Sequence, residues 1–451
     1  MTRRGAALGV AICILAMPAQ GKVPAAEAAK LERELTPLGA IRAGNDEGTI
    51  PAWEGGIVRP PPGYQPGLHH PDPFTDDRPL FTITVADLER HAARLSPGQI
   101  AMFERYPDTW RMPVYRTRRS ASLPERIYDK TLANATSAEL TPDGNGVLHA
   151  AEGIPFPIPQ NGLEAIWNHL LRYRGLSLHR QTVQVTPTSG GAYTEVRIDE
   201  KVVYLYAQEG ATIDSIDNRL GYLLQSVTAP PRLAGTILLV HETLNQKAEL
   251  RQAWTYNPGQ RRVRRAPNIA YDNPGTASDG QRTSDQLDMF NGAPDRYGWQ
   301  LMGRRELYVP YNNYRLHSDM LTHEQIVQPG HISPEYTRYE LHRVWEVEAT
   351  LKEGTSHIYA RRTFFLDEDS WQIVVADHYD RRGQLWRVSE AYTINYYENP
   401  LVWETLFCVY DLQNGRYLAF GLNNELEVDQ FNVPLDAADF TPDALRRLGR
   451  R

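Results

Sequence analysis

Cysteine is nearly missing from this chain. The 451 residues hold two, Cys13 and Cys408. The apolar core near the N-terminus is too short to span a bilayer, and no second run of ~18 apolar residues occurs. A surplus of positive charge is missing as well: 48 Lys and Arg stand against 55 Asp and Glu, a net charge of −7 with His neutral. Such a chain is a poor nucleic-acid binder, because that affinity rests on neutralising phosphates.

Local catalytic signatures are absent too. His241-Glu242 and His323-Glu324 each begin like a zinc-protease helix, but Asn245 and Val327 stand where the second His is needed. There is no G-x-S-x-G elbow, no Walker loop and no G-x-G-x-x-G after a strand. Cys408 sits in an apolar strand and reads as a small buried residue. His69-His70 is a weak pair of metal ligands in a Pro-rich loop. Asp367, Glu368 and Asp369 form an acidic turn without calcium-loop spacing. No metal or cofactor is expected. Two dispersed carboxylates for glycan or lipid hydrolysis would leave no local signature, so a hydrolase stays open as the alternative.

What is present begins with an export signal. Arg3 and Arg4 precede an apolar core from Ala6 to Met17, and Ala19-Gln20-Gly21 supplies small residues before a cut. Cleavage after Gly21 removes two Arg and Cys13. The basic count falls from 48 to 46 against 55 acids, so the mature charge is about −9, and Cys408 alone cannot form an intramolecular disulfide. The expectation is a periplasmic protein held together by packing.

The mature chain divides by pattern. Residues 22–80 carry a short helix, "AAEAAKLEREL", and then a Gly- and Pro-rich stretch read as extended chain lying on the body or as a linker. Residues 81–177 hold helices with a strand insertion. One spans about 85–95, and the next opens at Ser96-Pro97-Gly98-Gln99, a capping serine with Gln three residues on. In "NGLEAIWNHLLRYRG", Asn161 is the cap, and Leu163, Ile166, Trp167, Leu170 and Leu171 form an apolar stripe.

From 178 to 435 the period changes to two. Tyr339, Leu341, Trp345, Val347, Ala349 and Leu351 fall on one face of a strand. "QLWRVSEAYTINYY" places Trp386 and Tyr392 on one side, and Asn414-Gly415 marks a hairpin. These are antiparallel hairpins with one apolar face. Residues 436–451 are a C-terminal tail.

"RQAWTYNPGQRRVRRA" is such a hairpin, with Trp254 and Tyr256 on one face and Asn257-Pro258-Gly259-Gln260 at the turn. Arg262 and Arg264 share one side; Arg261 and Arg265 join Val263. The arginines either blunt a solvated edge or meet an anionic headgroup or partner. In "SDQLDMFNGAPDRYGW", Asp285, Asp288, Phe290 and Asp295 crowd together, although turn chemistry explains much of the segment.

Five segments, "LTPLGAIRAGNDEGTIPAWEGG", "GIPFPIPQNGLEAIWNHLLRYRG", "RQAWTYNPGQRRVRRAPNIAYDNPGTASDG", "DMFNGAPDRYGW" and "DEDSWQIVVADHYDRRGQLWRVSEA", resemble a bacterial family of unknown function. Its members are commonly labelled outer-membrane lipoprotein-sorting proteins (domain of unknown function 1329). The likeness runs from about 30 to 435. It implies the fold of periplasmic lipoprotein carriers: mainly β (α+β), a curved antiparallel half-barrel sheet with helices on its concave side. It also implies non-covalent carriage of an acyl chain, lipid or sterol-like molecule, alongside an inner-membrane export pump and an outer-membrane protein. The residues expected to wall the ligand site are Trp254, Tyr256, Tyr339, Trp345, Trp386 and Tyr392. Arg262 and Arg264 are expected at its rim, facing a headgroup or partner.

Overall fold

The computed structural model describes residues 22–266, 269 and 271–449. The expected signal segment 1–21 lies outside them. The first described helix is α1 (Ala25–Ala28), continued by a 3-10 turn at Ala29–Glu32, after which mostly irregular chain runs to residue 80 along the body. Arg119 fastens this strap, its Nη1 donating to the carbonyls of Ile41 at 2.9 Å and Arg42 at 3.3 Å. β1 (Phe81–Ile83), α2 (Leu88–His91), α3 (Pro97–Arg105), β2 (Met112–Tyr115) and α4 (Glu125–Asn134) follow. The small hairpin of β3 (Glu139–Leu140) and β4 (Val147–Leu148) precedes α5 (Gly162–Leu171).

Two meanders build the main sheet. The first contains β5 (Ser177–Val185), β6 (Val196–Tyr204), β7 (Arg219–Ala229), β8 (Ile237–Thr243), β9 (Gln252–Asn257) and β10 (Arg262–Arg265). The second contains β11 (Tyr297–Pro310), β12 (Tyr339–Leu351), β13 (Arg361–Asp367), β14 (Ile373–Tyr379), β15 (Leu385–Tyr396), β16 (Leu401–Asp411) and β17 (Tyr417–Leu422), with α6 (His323–Ile326) between β11 and β12. β17 pairs with β5 and fuses the two. β18 (Gln430–Phe431) also joins β5, and α7 (Pro442–Leu448) closes the chain.

The result is a large, curved, unclosed sheet of 16 strands whose path ends at β1 and β10. It is antiparallel except where β2 runs parallel to β12, with Val114 opposite Tyr339. Those strands are far apart in sequence, so no hairpin constrains their direction.

The caps read from sequence set the helices. The Ser96 side chain accepts from Gln99 N and Gln99 returns the bond, which fixes the start of α3. α3 lies on the outer face of β14 and β15, where Gly98 N donates to Asp377 Oδ2 at 2.9 Å. A Cβ on Gly98 would lie 2.1 Å from Asp377 Oδ1, so this approach requires glycine. Asn161 caps α5, and every residue of α5 except Leu163 is buried on the inner face, beside β11 and β12.

Alternation divides the strands between two layers. Phe364, Ala376, Ala391, Phe407 and Phe420 enter the inner core with Trp167 of α5. Val388, Tyr392, Cys408, Tyr410 and Ala419 enter the outer core with Met102 and Phe103 of α3. The apolar face expected along β12 is split: Trp345, Val347 and Ala349 join the inner core, while Tyr339 and Leu341 join the outer one. Over 13 residues the twist of the strand carries its two ends to different layers.

Candidate functional site

The inner face is filled under α5 and hollow beside it. On β7, β8 and β9 the register sets Leu223 opposite Val240, Gln225 opposite Leu238, and Leu238 opposite Thr255. Facing residues share a side, so these five form one wall. Over that wall lie Ala266, Ile269, Pro274 and Leu287, from the part of the chain between β10 and β11. Between wall and segment lies a cavity of about 350 Å³. A smaller space of about 80 Å³ adjoins it, sharing Leu223, Glu242, Leu287 and Asn291 and reaching Leu170 of α5.

Buried ion pairs pin the covering segment. Asp285 receives Arg362 at 2.6 Å and His357 at 3.1 Å. Asp288 is held by Arg172 and by Arg174, the latter at 2.6 Å. Burial would raise both carboxyls, but the facing cations, Arg362 for Asp285 and Arg172 with Arg174 for Asp288, hold them well below the usual range. His169 of α5 bonds the carbonyls of Asp288 and Phe290 at 3.0 and 3.1 Å. Burial pushes its ring down to about 3, so it is neutral.

The floor of the smaller space is polar. Arg180 pairs with Glu200 at 2.7 Å, and Gln225 Nε2 donates to the other Glu200 oxygen. Glu404 is pushed well up by burial, with the Asp288 charge adding to it. In the larger cavity Arg251 Nε lies 2.6 Å from Glu242.

The aromatic residues expected as walls lie elsewhere. Trp254 and Tyr256 occupy the outer face of β9 beneath α7, with the Tyr256 hydroxyl donating to Gly449 O at 2.7 Å. Tyr339 and Tyr392 both donate to Glu390 Oε2 at 2.8 Å in a closed network under α3. Trp345 stacks on Trp371 with ring centroids 6.1 Å apart, beneath the Arg304 guanidinium. Trp386 is half-buried, and its Nε1 donates to Asp411 Oδ2 at 3.0 Å. None of the six lines either space. Arg262 and Arg264 are exposed on the edge strand β10, Arg264 opposite Thr255 at the open side of the wall.

Two other clusters attract attention. His342, Asp367 and Asp369 come close enough to hold a cation. Arg119 takes both oxygens of Asp369, at 2.8 and 2.6 Å. Burial opposes charge on His342, but bonds to Asp367 and Glu340 raise it to about 9. An imidazolium therefore supplies the positive charge there. His70 bonds Glu398 at 2.8 Å and His317 at 3.3 Å, beside a cavity of about 670 Å³. That cavity lies under the strap and is lined by Asp72, Asp77, Arg78, Arg315 and Arg338 among others, so it is far more polar than the β7–β9 space.

No helix of the described residues is long and apolar enough to cross a membrane. Residues 82–446 match the family model described as "Protein of unknown function (DUF1329)". The chain is 50% identical over 443 residues to the uncharacterized protein PA3922 of Pseudomonas aeruginosa, covering 98% of this chain and 97% of that protein. Among solved structures it is similar to an outer membrane lipoprotein-sorting protein domain from Vibrio parahaemolyticus, with TM-score 0.44, 14% identity, and 63% and 98% of the two chains covered. A DUF1329 family protein from Desulfovibrio piger gives TM-score 0.43, 16% identity and coverage of 60% and 92%. A LolA superfamily protein from Nitrosomonas europaea gives TM-score 0.36, 14% identity and coverage of 60% and 93%.

Proposed function

This chain belongs to the family described as a protein of unknown function (DUF1329), and on that premise we propose that it is a periplasmic carrier of a hydrophobic ligand. The observation that carries this reading is the cavity of about 350 Å³ over an apolar part of the sheet's inner face. Its size lies in the ~300–1,000 Å³ range of ligand cavities. Leu223, Leu238, Val240, Ile269 and Leu287 offer it apolar contact. Each methylene buried there contributes ~0.8 kcal/mol before the costs of ordering. An export pump and an outer-membrane protein are the proposed partners.

A hydrolase would need two facing acids in a cleft, one kept protonated. Glu404 has the raised pKa, but the space beside it is about 80 Å³ and Glu200 is committed to Arg180. The carrier reading is therefore preferred.

The test is displacement of a neutral fluorescent probe by a long-chain alcohol on delipidated protein. Leu238→Trp fills the cavity from its wall. It is expected to weaken binding by about tenfold or more, the equivalent of roughly two buried methylenes. Unchanged binding by a folded Leu238→Trp variant would end the assignment to this cavity.

A further inference from the structure

The apolar wall says nothing about the head of the ligand, but the charges around the cavity do. Three charged side chains line it: Glu242, Arg251 and Arg282. The first two neutralise each other at 2.6 Å. Arg282 is left over. It is 4% exposed, its Nε has no hydrogen-bond partner, and its Nη1 reaches Thr283 O only at 3.4 Å. It forms no ion pair among the described residues. Burial opposes its charge, and Glu200 and Glu404 are near enough to favour it. Glu200, however, is taken by Arg180 and Gln225, and burial drives Glu404 toward its neutral form. The backbone at Gly275 passes directly across the guanidinium: a Cβ there would lie 2.6 Å from Arg282 Nη1.

A buried guanidinium with open donors is costly unless an anion completes it. Its planar fork suits a carboxylate or phosphate. We propose that the cavity takes an amphiphile with one apolar chain and an anionic end group, carboxylate or phosphate monoester, and that Arg282 receives that group. This rests on the carrier reading and names its ligand class. The chain of the ligand lies along Leu223, Leu238 and Val240, and the anion sits under the segment at Gly275.

The experiment compares three competitors of equal chain length on the delipidated mature protein at neutral pH: a fatty acid, its alcohol and its alkyl phosphate. Each displaces the same neutral fluorescent probe. At least one anionic competitor is expected to bind about tenfold tighter than the alcohol or better, as a charge-assisted pair adds. The stronger of the two identifies the head. Arg282→Met is expected to remove the preference while leaving alcohol binding within about twofold, and Arg282→Lys to restore part of it. Equal binding of acid, phosphate and alcohol by the unaltered protein overturns the proposal and leaves the carrier reading standing. Failure of all three to bind removes the carrier reading and the proposal together. The comparison on unaltered protein decides the matter even where Arg282→Met does not fold.

Discussion

From β12 to β17 the sheet is packed on both faces, whereas from β7 to β9 a cavity remains between its inner face and the residues that cover it. The strands of both halves alternate, so the difference is not in the strands themselves. In the first half α5 and Trp371 fill the inner side, and α3 covers the outer one. Every residue of β14, β16 and β17 is buried as a result. In the second half α7 covers the outer face of β7 to β9, where Leu224, Leu239 and Tyr256 pack on Phe440 and Leu445. The inner face there is left to an irregular segment pinned by Asp285 and Asp288. A helix fills a concave sheet to close-packed density, but a strap held at two points does not. One half is thus a filled core and the other encloses a cavity.

The largest expected effects come from each half's anchor. Phe364→Ala in the filled half should cost about 3–5 kcal/mol by denaturant unfolding, through the cavity it leaves. Asp288→Asn should cost a similar ~3–5 kcal/mol, because it strands Arg172 and Arg174 without a counter-charge. A cost under about 1 kcal/mol in either variant would contradict that anchor's role.

The halves should also answer pH in opposite directions. Asp285 and Asp288 have depressed folded pKa values, so their contribution is complete above the ordinary 3.8 and is lost as pH falls below it. Burial raises Asp377 under α3 to about 7, so its contribution is complete below 3.8 and is lost as pH rises through 7. Hydrogen exchange should show residues 282–291 opening first on the acid side. Residues 96–105 should instead lose protection between about pH 4 and 7. The same sign of response in both segments would erase the distinction.

Leu238→Ala on the cavity wall should cost only about 1 kcal/mol, well short of a full core truncation, because Leu238 is half-buried beside empty space. The smallest effect belongs to the edge. Arg262→Val with Arg264→Val should change stability by less than about 0.5 kcal/mol. It should raise self-association in sedimentation, since charge would no longer guard the unpaired edge of β10.

Much of the frame was legible along the chain. Ser96 and Asn161 mark helix starts because their side chains answer orphan amides within three residues. The hairpin at 257–260 shows itself through turn residues flanked by alternating strands. These are local rules. The site was less legible. Trp254 and Tyr256 look like binding-wall residues by type and periodicity, yet alternation cannot say which face a distant α7 will cover. Arg282 carries no local mark at all. Its neighbours Asp285 and Asp288 did stand out by acidic crowding, but their cations lie on α5's C-terminal side and on β13.

By itself the sequence determined strand periodicity, the helix caps, the turns and the scarcity of cysteine, since each depends on neighbours within a few residues or on composition. Only the tertiary structure decided which face is filled, where a cavity remains and which guanidinium is left without an anion. Those outcomes depend on volumes and charges brought together from segments far apart in sequence, such as Arg172 and Gln372, 200 residues apart, and no local pattern encodes them.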